Sequence, residues 1–132
     1  MKSNLDLARN LLTKAYNDLK MAEIGVAHEA PLDTVAFHVQ QAAEKLLKAL
    51  LAARDVEYPR THDVAALLDL LVPAHPQLED FRERLLGLAS YAVDMRYDAA
   101  LYPGTDEIAE ALNAVRDLQR VVLELLPPES RP

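Results

Sequence analysis

The stretch "PLDTVAFHVQQAAEKLLKALLAAR", Pro31 to Arg54, decides the fold. Val35, Val39, Ala42, Leu46, Ala49 and Ala53 recur at alternating spacings of four and three, the period of one helix face. Ala43, Leu47, Leu50 and Leu51 widen that face. A helix apolar over so much of its circumference needs neighbours on several sides, so the segment from about Pro31 to about Arg54 is predicted to be the central helix.

The same period extends to both sides. Leu5, Ala8, Leu12, Ala15, Leu19, Ala22 and Val26 form one stripe of a first helix, with Ser3 or Asn4 as its N-cap. A short third helix follows "THD", with Thr61 as the cap and Asp63 in the first turn, where a carboxylate complements the helix dipole. Leu78, Phe81, Leu85, Leu88 and Ala92 align on a fourth helix. Ile108, Leu112, Val115, Val122 and Leu125 align on a fifth. All eight prolines fall between these segments, and the connections are short. The expected architecture is all-α, an up-and-down antiparallel bundle of four to five helices over residues 1–126, with "PPESRP" (127–132) as a frayed tail.

Composition narrows the chemistry. Fourteen basic residues against twenty-one acidic ones leave a formal charge of −7, so phosphates are repelled at long range and nucleic-acid contact would need a local basic patch. The absence of cysteine removes disulfides, thiolate nucleophiles and thiolate zinc sites. No Glu-x-x-His pair of the di-iron bundle type occurs, nor any glycine-rich phosphate loop, so neither a metal nor a cofactor is expected. The N-terminal "MKSNLDLARN" has no signal-peptide core and no apolar run is long enough to span a bilayer, which makes the cytoplasm the expected location.

Two features are candidates for recognition. Thr34, His38, Gln41, Lys45 and Lys48 form one polar stripe on the second helix. It reads either as a solvated face carrying a Glu44–Lys48 pair or as a basic groove suited to a phosphate or an acidic partner. The second feature is "YAVDMRY", where Arg96 and Tyr97 end the fourth helix. A cation there complements the helix C-terminus, and a guanidinium can also grip a phosphate or carboxylate.

"FHVQQAAEKLLKALL", "THDVAALL" and "YAVDMRY", in that order and spacing, resemble the HEPN domain, and the similarity spans nearly the whole chain. The resemblance implies a helical bundle that often forms homodimers. It also implies a metal-independent RNase pair in many members: an arginine at the end of the fourth helix, followed after four to six residues by a histidine. Arg96 matches the arginine, but the histidine positions hold Leu101, Tyr102 and Pro103, and no histidine follows His75. A phenol with an ordinary pKa of about 10 is a poor replacement in acid–base catalysis near neutral pH.

The chain is thus closer to the Arg-Tyr branch of the family, whose members often accompany a small nucleotidyltransferase. The expectation is a non-catalytic module binding a nucleotide or a partner through Arg96, Tyr97, Lys45, Lys48, Gln41 and His38, as half of a toxin–antitoxin-like pair. One alternative is an RNase using Arg96 with a histidine from elsewhere, His38 or His62. Another is a helical interaction protein with no nucleotide site. Tyr97 and Tyr102 are conceivable acceptors for nucleotide transfer.

Overall fold

A computed structural model describes residues 3–58, 60–86, 88 and 104–131. Among these, α1 spans Asn4–Ala27, α2 Leu32–Ala53 and α3 Val64–Leu71. A 3-10 turn over Pro76–Asp80 leads into the short α4, Phe81–Arg84, and the long α5 covers Thr105–Leu125. The fold is an up-and-down helical bundle with α2 at its centre, packed most extensively on α1 and then on α5 and α3. Every apolar residue named for the α2 stripe is buried except Ala53, which is partly so.

Local chemistry sets the helix ends. Ser3 caps α1 in a reciprocal box: its hydroxyl accepts the Asp6 N–H at 3.1 Å, and its own N–H donates to the Asp6 carboxylate at 3.2 Å. At the other end Gly25, not Val26, completes the buried face, and Val26 is exposed. The reason is steric. A Cβ on Gly25 would lie 2.8 Å from Val35 Cγ2, so only glycine lets α1 and α2 approach this closely before the turn at Pro31.

The third helix begins later than its sequence suggests. The Thr61 hydroxyl accepts the Asp63 N–H at 3.0 Å, and Asp63 itself is the N-cap, accepting from the Ala65 N–H at 3.0 Å. Residues 76–86 also differ from one continuous helix. Pro76 has no N–H to give, and the chain starts as a 3-10 turn. Leu78, Phe81, Leu85 and Leu88 are nevertheless all buried, while Ala92 lies outside the described residues.

The C-terminal segment is not frayed as expected. Pro127–Arg131 folds back on α1: Ser130 is fully buried, its hydroxyl donates to Pro127 O at 2.7 Å, and Arg9 donates to Glu129 O. Arg131 donates to Leu123 O at 2.7 Å. This return draws Leu126 into the core and leaves Leu125 partly exposed. No described helix is long and apolar enough to cross a membrane.

The α1–α2 contact yields a direct test. Gly25→Ala gains about 0.5–1 kcal/mol of helix propensity but overpacks against a stiff valine, at a cost of about 1–3 kcal/mol. The expected net result in urea melts is a lower midpoint with an unchanged slope. A rise in stability would show that α1 and α2 are not held this tightly.

Candidate functional site

The polar stripe of α2 is organised by two carboxylates that the sequence reading did not place at its centre. The first is Asp18, on α1. His38 Nδ1 lies 3.0 Å from Asp18 Oδ1, and Lys45 Nζ donates to Oδ2 at 2.6 Å, so both α2 side chains are tied to the neighbouring helix. The His38 ring also meets Phe37 edge to face, with centroids 5.9 Å apart. A signal for Asp18 existed in the sequence: it lies three residues after Ala15 and four before Ala22, at the edge of the buried stripe.

The second carboxylate is Glu44, whose side chain is only 6% exposed. Lys48 Nζ donates to Oε1 at 2.5 Å. Gln40 Nε2 donates to Oε2 at 3.0 Å, and His62 Nδ1 reaches the same oxygen at 3.0 Å. Gln41 Nε2 donates to Gln40 Oε1 at 2.9 Å and stands 3.5 Å from Glu44 Oε2. Gln40, fully buried, also donates to the main-chain carbonyl of His62 at 3.2 Å. The Lys48 ammonium completes its environment over the Tyr58 ring, 5.7 Å from the centroid.

Burial alone would raise the Glu44 pKa, because a carboxylate loses hydration. The hydrogen bonds from Lys48, then His62 and Gln40, outweigh that effect and hold it below its ordinary value. Glu44 is therefore a carboxylate at neutral pH. A carboxylate only accepts, so His62 Nδ1 must carry the proton that points at it. The His62 side chain is 59% exposed.

Of the residues expected to form a recognition site, the structure brings His38 and Lys45 together at Asp18, and Gln41 and Lys48 together at Glu44. Thr34 is exposed at the start of the stripe. The stripe is not the bare basic groove that its lysines suggest, since each lysine faces one carboxylate. Arg96, Tyr97 and Tyr102 lie outside the described residues. Sequence reasoning missed Gln40 and Tyr58. Gln40 could have been found as an amide in phase with Ala36, Ala43 and Leu47, a position that demands a partner once buried.

A polar cluster threaded through the centre of an Ala/Leu-rich second helix, pinned to the segment before a short third helix, brings "FHVQQAAEKLLKALL" and "THDVAALL" into one three-dimensional pattern. The HEPN domain family model matches residues 8–125. The chain belongs to the HEPN domain family. Among solved structures, this HEPN chain is similar to TT1696 from Thermus thermophilus, at 29% identity over 90% of this chain and 98% of that one, with a TM-score of 0.70. It also resembles ST0689, an archaeal HEPN homologue, at 23% identity over 94% of this chain and 98% of that one, again with a TM-score of 0.70, a likeness of fold alone. No curated protein shows a significant match.

The Glu44 cluster predicts a pH dependence. Because its folded pKa is lowered, Glu44 contributes stability in full above its ordinary value of 4.5, and that contribution is lost as pH falls through the folded value. Glu44→Gln should lower stability at pH 7 by roughly 3 kcal/mol, the effect of breaking a buried charge pair. The gap between variant and parent should narrow in denaturant melts below pH 4.5. A gap independent of pH would show that Glu44 acts through packing alone.

Proposed function

We propose that this HEPN-domain chain is a non-catalytic recognition module, a homodimer that acts with a small nucleotidyltransferase in a toxin–antitoxin-like pair. The observation that carries the reading is the sequence after Arg96: Tyr97 follows at once, and no histidine occurs beyond His75. The geometry of α2 favours a protein partner over a free polyanion. Lys45 and Lys48 bring two positive charges, Asp18 and Glu44 two negative ones, and what remains is a semi-buried, polar, charge-balanced surface. Such a surface suits hydrogen-bonded docking better than capture of a bare phosphate. A nucleotide would rely on Arg96 and Tyr97, by bidentate grip and stacking.

Calorimetric titration against ATP and against a nucleotidyltransferase encoded beside this chain tests the reading. Arg96→Ala and Lys45→Ala should each weaken binding of the partner about tenfold, the equivalent of roughly 1.4 kcal/mol. Equal affinities for parent and both variants, or no binding at all, would remove its basis.

A second reading, metal-independent RNA cleavage by Arg96 with a distant histidine, is favoured by one observation: His62 is held by Glu44 through Nδ1 on a side chain that is 59% exposed. The two readings separate in one assay. Purified protein incubated with unstructured RNA in EDTA should leave it intact. Cleavage that disappears in both Arg96→Ala and His62→Gln would establish the second reading instead.

A further inference from the structure

The apolar stripe of α1 runs past the point where the bundle covers it. Val26 is in helical phase with Ala15, Leu19 and Ala22, which are buried, yet it is 43% exposed. The space beside it is a groove of about 750 Å³ between the C-terminal end of α1 and the N-terminal half of α5. Among the described residues these two helices touch far less than α1 and α2 do. Of the residues that line the groove, Ile108 and Leu112 are buried, Ala30 and Leu32 are partly buried, and Val26 and Ala109 are exposed. The floor is therefore apolar and so is the inner part of both walls.

The rim is acidic. Glu29 lines the groove from the turn after α1 at a φ of 55°, a backbone conformation that favours glycine. A glutamate gives that turn nothing, and its carboxylate has no partner among the described residues. On α5, Asp106 and Glu110 each stand three residues before a lining residue, Ala109 and Asn113, and so border that wall. Neither carboxylate has a partner among the described residues. The one cation that lines the groove, Arg116, is met by Glu23 at 3.3 Å.

These two features define an occupant. Main-chain groups at the floor are already paired: Ile108 N–H donates to Gly104 O at 3.1 Å, and Ala30 N–H to Gly25 O at 2.8 Å. An extended segment laid there would leave its own N–H and C=O groups unpaired, whereas a helix satisfies them internally. Cations beside the apolar stripe of such a helix would meet Glu29, Asp106 and Glu110. We propose that the groove is a docking surface for a basic amphipathic helix of a partner protein. Its apolar stripe lies on the floor, and its lysine or arginine side chains lie at the rim. The groove is separate from the polar stripe of α2, so the proposal does not depend on the reading above.

Fluorescence anisotropy of three synthetic peptides with the full chain tests it. One is a leucine–lysine peptide patterned as an amphipathic helix, the second has glutamate in place of lysine, and the third is the first with its order scrambled. Only the first should bind. Ala109→Arg, at an exposed helical position, fills the groove and repels the peptide, so it should abolish binding with little change in melting temperature. Asn113→Arg, one turn along the same wall, serves if that variant does not fold. Glu29→Gly suits the backbone and should keep the fold, yet weaken binding about threefold, the size of one exposed ion pair. Glu57→Gln removes the same charge at an exposed position between α2 and α3 and should leave affinity unchanged. Equal binding of patterned and scrambled peptides, or equal losses in Glu29→Gly and Glu57→Gln, would assign the attraction to net charge and overturn the proposal. Parent-like affinity in a folded groove-filling variant would overturn it as well. Self-association in light scattering that such a variant abolishes would make a second copy the occupant, and the proposed partner wrong.

Discussion

A carboxylate buried in the middle of the central helix constrains everything around it. Removing a lone charge from water costs several kcal/mol even after relaxation, so Glu44 can sit at 6% exposure only if donors converge on it. Three come from its own helix: Gln40 and Lys48, one turn to either side, and Gln41 at the limit of hydrogen-bond distance. Another comes from His62, beyond the end of α2. Glu44 thereby fixes the course of the connection between α2 and α3 as well as the rotamers of its own helix. The Gln-Gln-x-x-Glu-Lys-x-x-Lys pattern is the sequence record of that requirement, and it explains why polar residues interrupt an otherwise apolar face.

Apolar packing supplies the bulk of the stability, and it uses small residues where the chain is most crowded. Ala8, Ala15, Ala22 and Gly25 on α1, with Ala36, Ala42 and Ala43 on α2, are all buried. Short side chains let helix backbones approach closely. That approach lets Asp18 reach two α2 side chains, His38 and Lys45. The ion pairs on the outer surface, Arg84–Asp117 and Arg116–Glu23, link α5 to α4 and α1 but are substantially exposed and contribute little. The two internal carboxylates differ from them in kind. They are shielded from water, each carries a histidine beside a lysine, and both bind side chains of α2, so helix packing and site geometry are set together.

The fold was largely legible because helical period, proline punctuation and an Ala/Leu-rich core all indicate the same bundle. Where the reading missed, local hydrogen bonding or a single close contact had decided the outcome. Thr61 spends its hydroxyl on Asp63 and moves the cap, Gly25 replaces Val26 at the tightest point, and Ser130 anchors a segment whose composition suggests a loose end. The candidate site was legible only in part. His38, Gln41, Lys45 and Lys48 share a helix face by spacing alone, but the pairing of such side chains with carboxylates elsewhere depends on tertiary geometry. Asp18 is 27 residues from Lys45, and His62 is 18 from Glu44. Spacing within one helix offers the Glu44–Lys48 pair but cannot reveal such contacts, so nothing in the sequence ties Lys45 to Asp18.

The site depends on Glu44 holding His62 by Nδ1–H. The most direct measurement is the tautomer of His62 from nitrogen chemical shifts in labelled protein at a pH where the ring is neutral. The expected result is a protonated Nδ1, a proton on it slow to exchange with water, and the loss of both features in Glu44→Gln. A predominantly Nε2-protonated ring, indistinguishable from the exposed His28, would contradict it.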